Sequence, residues 1–192
     1  MNDFILATHN THKVLELQAM LPQMQIKTLT DLGYHDDIPE TSSSLEGNAL
    51  LKAETSHKLF GGLVIADDTG LEVEALNGAP GVRSARYAGT PKNDTKNLEK
   101  LLESLKSEEN RCAQFRTVIC LYGLEKPHFF EGIVRGVILD KRQGIGGFGY
   151  DPVFMPDGYS ASFAELPMEV KNRISHRGLA VQKLVEYLQN PY

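Results

Sequence analysis

Three short clusters along the chain hold residue types that together suit a phosphorylated small molecule. Thr8-His9-Asn10-Thr11-His12-Lys13 is a polar stretch between an apolar run and a helical pattern. There, backbone N–H groups and the positive end of a helix meet an incoming anion. Thr8 and Asn10 add neutral hydrogen-bonding groups, and Lys13 adds a point charge. The stretch lacks the Gly-x-x-x-x-Gly-Lys-Ser/Thr pattern of a Walker loop, and by itself it also describes an ordinary capped helix start. The second cluster, Asp67-Asp68-Thr69-Gly70, follows the apolar run Leu63 to Ala66. Ligands of open α/β sheets gather at the C-terminal ends of strands. One carboxylate there suits Mg²⁺, which takes few carboxylates plus water and phosphate oxygens. Adjacent residues of extended chain point to opposite faces, so the two carboxylates need not share one task. The plainer alternative is an Asp-rich turn ahead of Gly70. The third cluster is Lys171, Ser175, His176 and Arg177. Lys171 and Ser175 share a helical face, while His176 and Arg177 open the last helix and could meet an anion or a carbonyl oxygen. Taken one at a time, such basic residues are solvated surface charge.

Gly144-Ile145-Gly146-Gly147-Phe148-Gly149 formally satisfies the dinucleotide fingerprint Gly-x-Gly-x-x-Gly. That fingerprint needs a helix directly after the glycines within a βαβ unit. Here Tyr150-Asp151-Pro152 and an apolar Val-Phe-Met run follow instead. The stretch reads better as a flexible loop that displays Phe148 and Tyr150 to a base. No Ser-His-Asp or Cys-His arrangement stands out, and the histidines show no zinc-ligand spacing. The two cysteines, Cys112 and Cys120, fall in one expected strand. Eight residues of strand span ~26 Å, whereas a disulfide needs Cα atoms within ~7 Å, so both are expected as reduced thiols.

The elements that position these clusters alternate at first between strand and helix. Phe4 to Ala7 is a short buried strand, and a helix follows from Lys13, with Val14, Leu17 and Leu21 on one face before Pro22. Asp36 to Ser44 is a polar loop, and Leu45–Phe60 is helical, closed by Gly61-Gly62. Leu63 to Ala66 is a second buried strand, ending at Asp67–Gly70. Asn77 to Gly89 is an ordered surface loop rich in turn residues, and Asn93–Leu105 is helical. Gln114–Tyr122 and Phe129–Leu139 are β-rich neighbours, read as antiparallel. Ser162 with Glu165 matches a capping box, and Leu179, Leu184 and Leu188 give a C-terminal helix its apolar face. The expected fold is α/β with a mixed central sheet flanked by helices, one domain over residues 1–192.

Composition sets the outer limits. The chain has 192 residues, 41% hydrophobic and 23% charged, ordinary for a soluble globular protein. A net charge of −5 argues against a partner such as polymeric nucleic acid, which selects a basic stripe. No apolar run approaches the ~20 residues that span a bilayer, and the first residues lack a basic signal-peptide region. The expectation is a cytoplasmic protein with no membrane partner.

In this order the clusters resemble the inosine/xanthosine triphosphate pyrophosphatase (Ham1-like) family, over about Phe4 to Leu188. The stretches that carry the resemblance are ATHNTHK, EGNALLKAE, IADDTGLEVEALNGAPGVRSARYAG, GGFGYDPVF and AELPMEVKNRISHRG. It implies two lobes with a nucleotide cleft between them. It implies Mg²⁺-dependent hydrolysis of deaminated purine triphosphates (ITP, dITP, XTP) between the α- and β-phosphates, releasing monophosphate and pyrophosphate, in a homodimer. By resemblance, Thr8, His9, Asn10, Thr11, His12, Lys13 and Lys52 hold the triphosphate. Glu40 and Asp68 lie at the metal, Asp68 is the base and Thr69 contacts substrate. Phe148, Gly149, Tyr150, Asp151, Lys171, His176 and Arg177 form the nucleobase pocket. Donors from Arg177, His176 or backbone N–H groups would then favour a 6-oxo purine.

Two positions depart from the family pattern. Gly47 stands where Glu is usual, and His9 where Gly is usual. The first removes a carboxylate near the entry helix, and the second puts a side chain into the phosphate loop. Two other readings compete: a Maf-like pyrophosphatase of pyrimidine or modified nucleotides, and a non-catalytic nucleotide sensor with the same pocket.

Overall fold

The computed structural model describes residues 3–189. The elements are β1 (Phe4–Leu6), α1 (Thr11–Met20), β2 (Ile26–Thr28), α2 (Leu45–Phe60), β3 (Leu63–Val73), β4 (Pro80–Gly81), α3 (Asp94–Ser104), β5 (Cys112–Tyr122), β6 (His128–Ile138), β7 (Phe154–Pro156), α4 (Met168–Ile174) and α5 (His176–Gln189). The sheet has the strand order β2-β1-β3-β5-β6-β7, with β4 paired to β3. Parallel β1 aligns Phe4 with Ile26 of β2 and with Leu63 of β3. Antiparallel pairs align Leu71 with Gly81 and Gly136 with Pro156. Only five residues join β5 to β6, too few for the crossover that parallel strands need. The mixed α/β sheet expected from the sequence is therefore present.

The chain divides into two compact units. Among the described residues the first comprises residues 3–68, 117–132 and 177–189; the second comprises residues 69–116 and 133–176. In the first unit β3 presents its two faces to different helices. Ile65 packs with Phe4, Leu6, Leu17, Leu21, Ala180, Val181 and Leu184, on the side of α1 and α5. Val64 and Ala66 pack with Ile5, Ala7, Ala49 and Ala53, on the side of α2. Helix α2 begins at Ser44, whose Oγ accepts from the Gly47 N–H at 3.1 Å, and ends at Gly61 with φ of 68°. Its buried residues, Leu45, Asn48, Ala49, Lys52, Ala53 and Ser56, recur at helical spacing. Asn48 and Lys52 thus ride on the apolar stripe of α2 and are carried to the sheet.

The second unit has its own core. Leu71 and Val73 of β3 pack with Leu98, Leu101 and Leu105 of the α3 region, and with Phe115, Ile138, Tyr150, Val153, Phe154 and Phe163. The loop expected over Asn77–Gly89 is ordered by its neighbours. Asn97 accepts from the Ala88 N–H at 2.7 Å and donates to the Ala85 carbonyl at 2.9 Å. Ser84 Oγ accepts from the Leu71 N–H at 2.8 Å.

Two local expectations are corrected. The strand carrying Asp67 and Asp68 does not end there but runs on to Val73, so the stretch Asp67–Gly70 is extended chain and not a turn. Gly70 serves close strand approach: a Cβ there would lie 2.8 Å from the Gly81 carbonyl oxygen. The pairing of Ser162 with Glu165 makes half of a capping box, Glu165 accepting from the Ser162 N–H at 2.8 Å, but no helix follows. Pro167 disfavours helical backbone at Leu166, and α4 starts only at Met168. Both cysteines lie on β5 as free thiols, Cys112 exposed and Cys120 buried, with burial raising the Cys120 thiol to about 12. No helix among the described residues is long and apolar enough to cross a membrane.

Candidate active site

Strand alternation sorts the two adjacent carboxylates. Asp67, in phase with Ile65, faces α1 and α5; Asp68, in phase with Ala66, faces α2. Asp67 is fully buried. Its Oδ2 lies 3.0 Å from Lys13 Nζ and 3.2 Å from both Nε and Nη2 of Arg177. Burial alone would raise the Asp67 carboxyl, but Lys13, Arg177 and Lys52 outweigh it and hold the group well below the usual carboxylate range. Its Oδ1 has no hydrogen-bond partner among the described residues. Asp67 is a fixed anion at the centre of a cationic group.

Asp68 sits in a different field. Its Oδ2 accepts from Asn48 Nδ2 at 3.1 Å, and its Oδ1 lies 3.8 Å from Lys52 Nζ. Lys52 Nζ also donates to Glu40 Oε1 and to the Asp67 carbonyl, each at 2.7 Å. Burial raises the Asp68 carboxyl; Lys52 and Lys13 oppose it, Glu40 adds to it, and the group ends above its ordinary value. A carboxylate with a raised pKa beside an ammonium group suits proton acceptance near neutral pH. Burial acts oppositely on the two lysines. It lowers Lys13, where Asp67 does not compensate, while Asp68 and Glu40 overcome it at Lys52 and raise that ammonium.

The Thr8–Lys13 stretch is a capped helix start that carries its own functional groups. Asn10 is the N-cap of α1, its Oδ1 accepting from the His12 and Lys13 N–H groups at 3.0 and 3.4 Å. Thr8 Oγ1 accepts from the Asn10 N–H at 3.1 Å. Thr11 and His12 are exposed, and Lys13 reaches β3. His9 projects away from this turn: its Nε2 donates to the Asp36 carbonyl at 3.0 Å, and its ring stacks on Tyr34. Gly47, the other departure, accommodates Ser42. A Cβ at 47 would lie 2.7 Å from that of Ser42, whose N–H donates to Asn48 Oδ1 at 2.9 Å.

In the second unit, Asp151 organises the glycine-rich loop. Its Oδ2 accepts from the Phe148 N–H at 2.7 Å and from Lys171 Nζ at 2.8 Å. Lys171 Nζ also lies 5.1 Å from the centre of the half-buried Phe148 ring. His176 stacks on Phe115 with ring centres 4.5 Å apart. Asp151 leads into a short 3₁₀ turn and then β7, so no helix follows the glycines and the dinucleotide fingerprint is coincidental. Gly149 is half-buried beside Phe148, and Thr69 is half-buried on β3 next to Asp68.

Two sequence readings are corrected here. The basic residues of the third cluster are not solvated surface charge: Lys171, Ser175, His176 and Arg177 are all buried. Tyr150 is not displayed to a ligand; it is a core residue whose hydroxyl donates to the Ser84 carbonyl at 2.8 Å. Within the first unit the Arg177 guanidinium pairs with Glu16 and Asp67. Those partners outweigh burial and hold Arg177 firmly charged. Asn48 and Glu16 were missed from the sequence. Asn48 has a signal, a polar residue in phase with the apolar stripe of α2; Glu16 has none, because its partner lies far along the chain.

Glu40 and Asp68 share the Lys52 ammonium, giving two carboxylates in one locality. Mg²⁺ is commonly held by one or two carboxylates, the rest of its shell being water and phosphate oxygens. The donor set therefore fits such an ion, and it does not resemble an all-protein cage: no group of three or more His, Cys, Asp or Glu suited to a metal occurs among the described residues.

Known proteins similar in sequence and architecture agree with each other. A Flavobacterium psychrophilum protein named dITP/XTP pyrophosphatase is 51% identical over 187 residues, covering 97% of this chain and 98% of its own. A Porphyromonas gingivalis protein of the same name is 54% identical over 190 residues, covering 98% of each chain. The solved structure of the Staphylococcus aureus Ham1 protein superposes with a TM-score of 0.89 at 40% identity, over 99% of this chain and 100% of that one. The model of the Ham1 family matches residues 4–187. A match of that length, with relatives so similar from end to end, makes this chain a member of the Ham1 family.

Proposed function

We propose that this protein hydrolyses deaminated purine nucleoside triphosphates (ITP, dITP and XTP) to the monophosphate and pyrophosphate, clearing them from the nucleotide pool. The observation that carries the reading is the division of labour between Asp67 and Asp68. One is locked as a counter-ion for Lys13 and Arg177, and the other has a raised pKa beside Lys52 and Glu40. Relatives named for this reaction support it over nearly the whole chain.

Phosphoanhydride hydrolysis needs charge neutralisation and a positioned water more than covalent chemistry. Thr8, Asn10, Thr11 and His12 surround the start of α1, where an anion is stabilised by the helix end, and Lys13 and Lys52 add cations. Glu40 and Asp68 would hold Mg²⁺, which when bound neutralises phosphate charge. Asp68 takes the proton of the attacking water, and Asn48 keeps its carboxylate in place through the Nδ2 donor. Thr69 contacts the substrate. The base is assigned to Phe148 and Gly149, with Asp151, Lys171 and His176; the buried Lys171–Asp151 pair supplies the donors and acceptors that read a 6-oxo purine. Arg177 acts from behind, fixing Asp67. The homodimer remains part of the proposal on resemblance alone, and the cytoplasmic location on the sequence expectation.

Product analysis tests the bond that is cleaved. ITP with Mg²⁺ is expected to release pyrophosphate without orthophosphate, and EDTA is expected to abolish the release. Orthophosphate as first product would place cleavage at another bond, and tight ITP binding without turnover would make the protein a sensor.

A further inference from the structure

Residues 29–44 join β2 to α2 without a helix or strand. Connections of that length in a compact fold are commonly functional. This one carries Glu40, which meets Lys52 at 2.7 Å, and its backbone at Ser42 meets Asn48 at 2.9 Å. Its earlier half is held from the phosphate side of the unit. His9 Nε2 lies 3.0 Å from the Asp36 carbonyl, so Nε2 carries the proton, and Nδ1 lies 3.5 Å from Thr30 Oγ1, which donates to it. The His9 ring is nearly parallel to that of Tyr34, centres 6.2 Å apart, and Tyr34 sets its own edge against Phe60 at the end of α2. One side chain, placed between Thr8 and the N-cap Asn10, therefore grips the connection at Thr30, Tyr34 and Asp36.

We propose that His9 is a positioning residue that clamps the 30–40 arm to the phosphate-side turn, so that Glu40 is held ready for the metal ion. The inference rests on the proposed role of Glu40, and it differs from direct substrate contact by His9, because both ring nitrogens are committed to the arm. Without the ring, the turn at Thr8–Asn10 keeps its own cap bonds, while the arm loses its grip two to four residues before Ile38 and Glu40. The cost falls on capture of the metal more than on the chemical step.

The test compares His9→Gly and His9→Phe with the wild type, first by amide hydrogen exchange on the metal-free protein. His9→Gly should speed exchange over residues 34–40 by about three- to tenfold, the size expected for losing one or two ordinary hydrogen bonds. His9→Phe, which keeps the ring against Tyr34, should lie between. The Mg²⁺ concentration for half-maximal ITP turnover should rise by about the same factor in His9→Gly, and by more than kcat at saturating Mg²⁺ falls. Unchanged exchange in the arm would overturn the clamp whether or not the protein turns over ITP. Faster exchange with an unchanged Mg²⁺ requirement would overturn its link to the metal. Absence of ITP turnover in the wild type would refute the proposed function instead.

Discussion

Asp67 and Asp68 are one peptide bond apart, yet the pleat of β3 gives them unlike fields. Asp67 is a buried anion whose partners are Lys13 and Arg177. Removing one member of such a network leaves the others uncompensated and typically costs ~3–5 kcal/mol. Asp67→Asn is therefore expected to lower the urea midpoint strongly. Asp68 is in the reverse position, since burial works against its charge. Asp68→Asn relieves that burden while removing the proposed proton acceptor, so kcat should fall by roughly 10²–10⁴ with the melting temperature little changed. Swapped outcomes, a stable but inactive Asp67→Asn and an unfolded Asp68→Asn, would reverse the assignment. Spacing alone could not separate the two residues; the separation comes from partners on α1, α2 and α5 that only the fold brings near.

The elements that carry the site follow simple local rules where they were legible. Helix α2 runs from Leu45 to Phe60 as expected, because a Ser N-cap and a Gly stop bracket an uninterrupted helical pattern. Ser44→Ala should cost about 1 kcal/mol through the lost cap, a fall of roughly 2–4 °C in melting temperature, measurable by calorimetry. No shift would mean the cap contributes nothing to the stretch that positions Asn48. The continuation of β3 past Asp67 was not legible, because Asp-Asp-Thr-Gly has the composition of a turn. What keeps it extended is tertiary: ion pairs for the carboxylates, and a backbone approach at Gly70 that a side chain would block. Gly70→Ala should accordingly destabilise by about 1–3 kcal/mol, read as a lower urea midpoint with an unchanged m-value. Likewise the capping signature at Ser162 was locally correct, but Pro167 decided against a helix.

At the scale of the molecule, buried charge couples stability to pH. Asp67 has a folded pKa below its unfolded value, so its contribution is present above the ordinary carboxylate range of ~4. It is lost as pH falls through the lower folded value. The stability gap between wild type and Asp67→Asn should therefore be widest near neutral pH and shrink toward pH ~3 and below; urea titrations at several pH values measure it. A gap that stayed constant with acid would mean that Asp67 is not ionised in the folded protein. The architecture and order of clusters were readable from one sequence, since periodicity and turn residues are local properties. The burial of Lys171, His176 and Arg177 was not, because each depends on a partner, such as Glu16, Asp67, Phe115 or Asp151, distant along the chain.

The central claim is selectivity for deaminated purines, and kcat/KM for ITP, XTP, ATP, GTP and dTTP measured side by side under saturating Mg²⁺ tests it most directly. Values for ITP and XTP should exceed that for ATP by at least about 10²-fold, as a site committed to a 6-oxo group rejects the 6-amino group of adenine. GTP shares the 6-oxo group and differs from ITP only by its 2-amino group, so its value should fall between. Equal values across the purines, or a preference for dTTP as in a Maf-like pyrophosphatase, would contradict it.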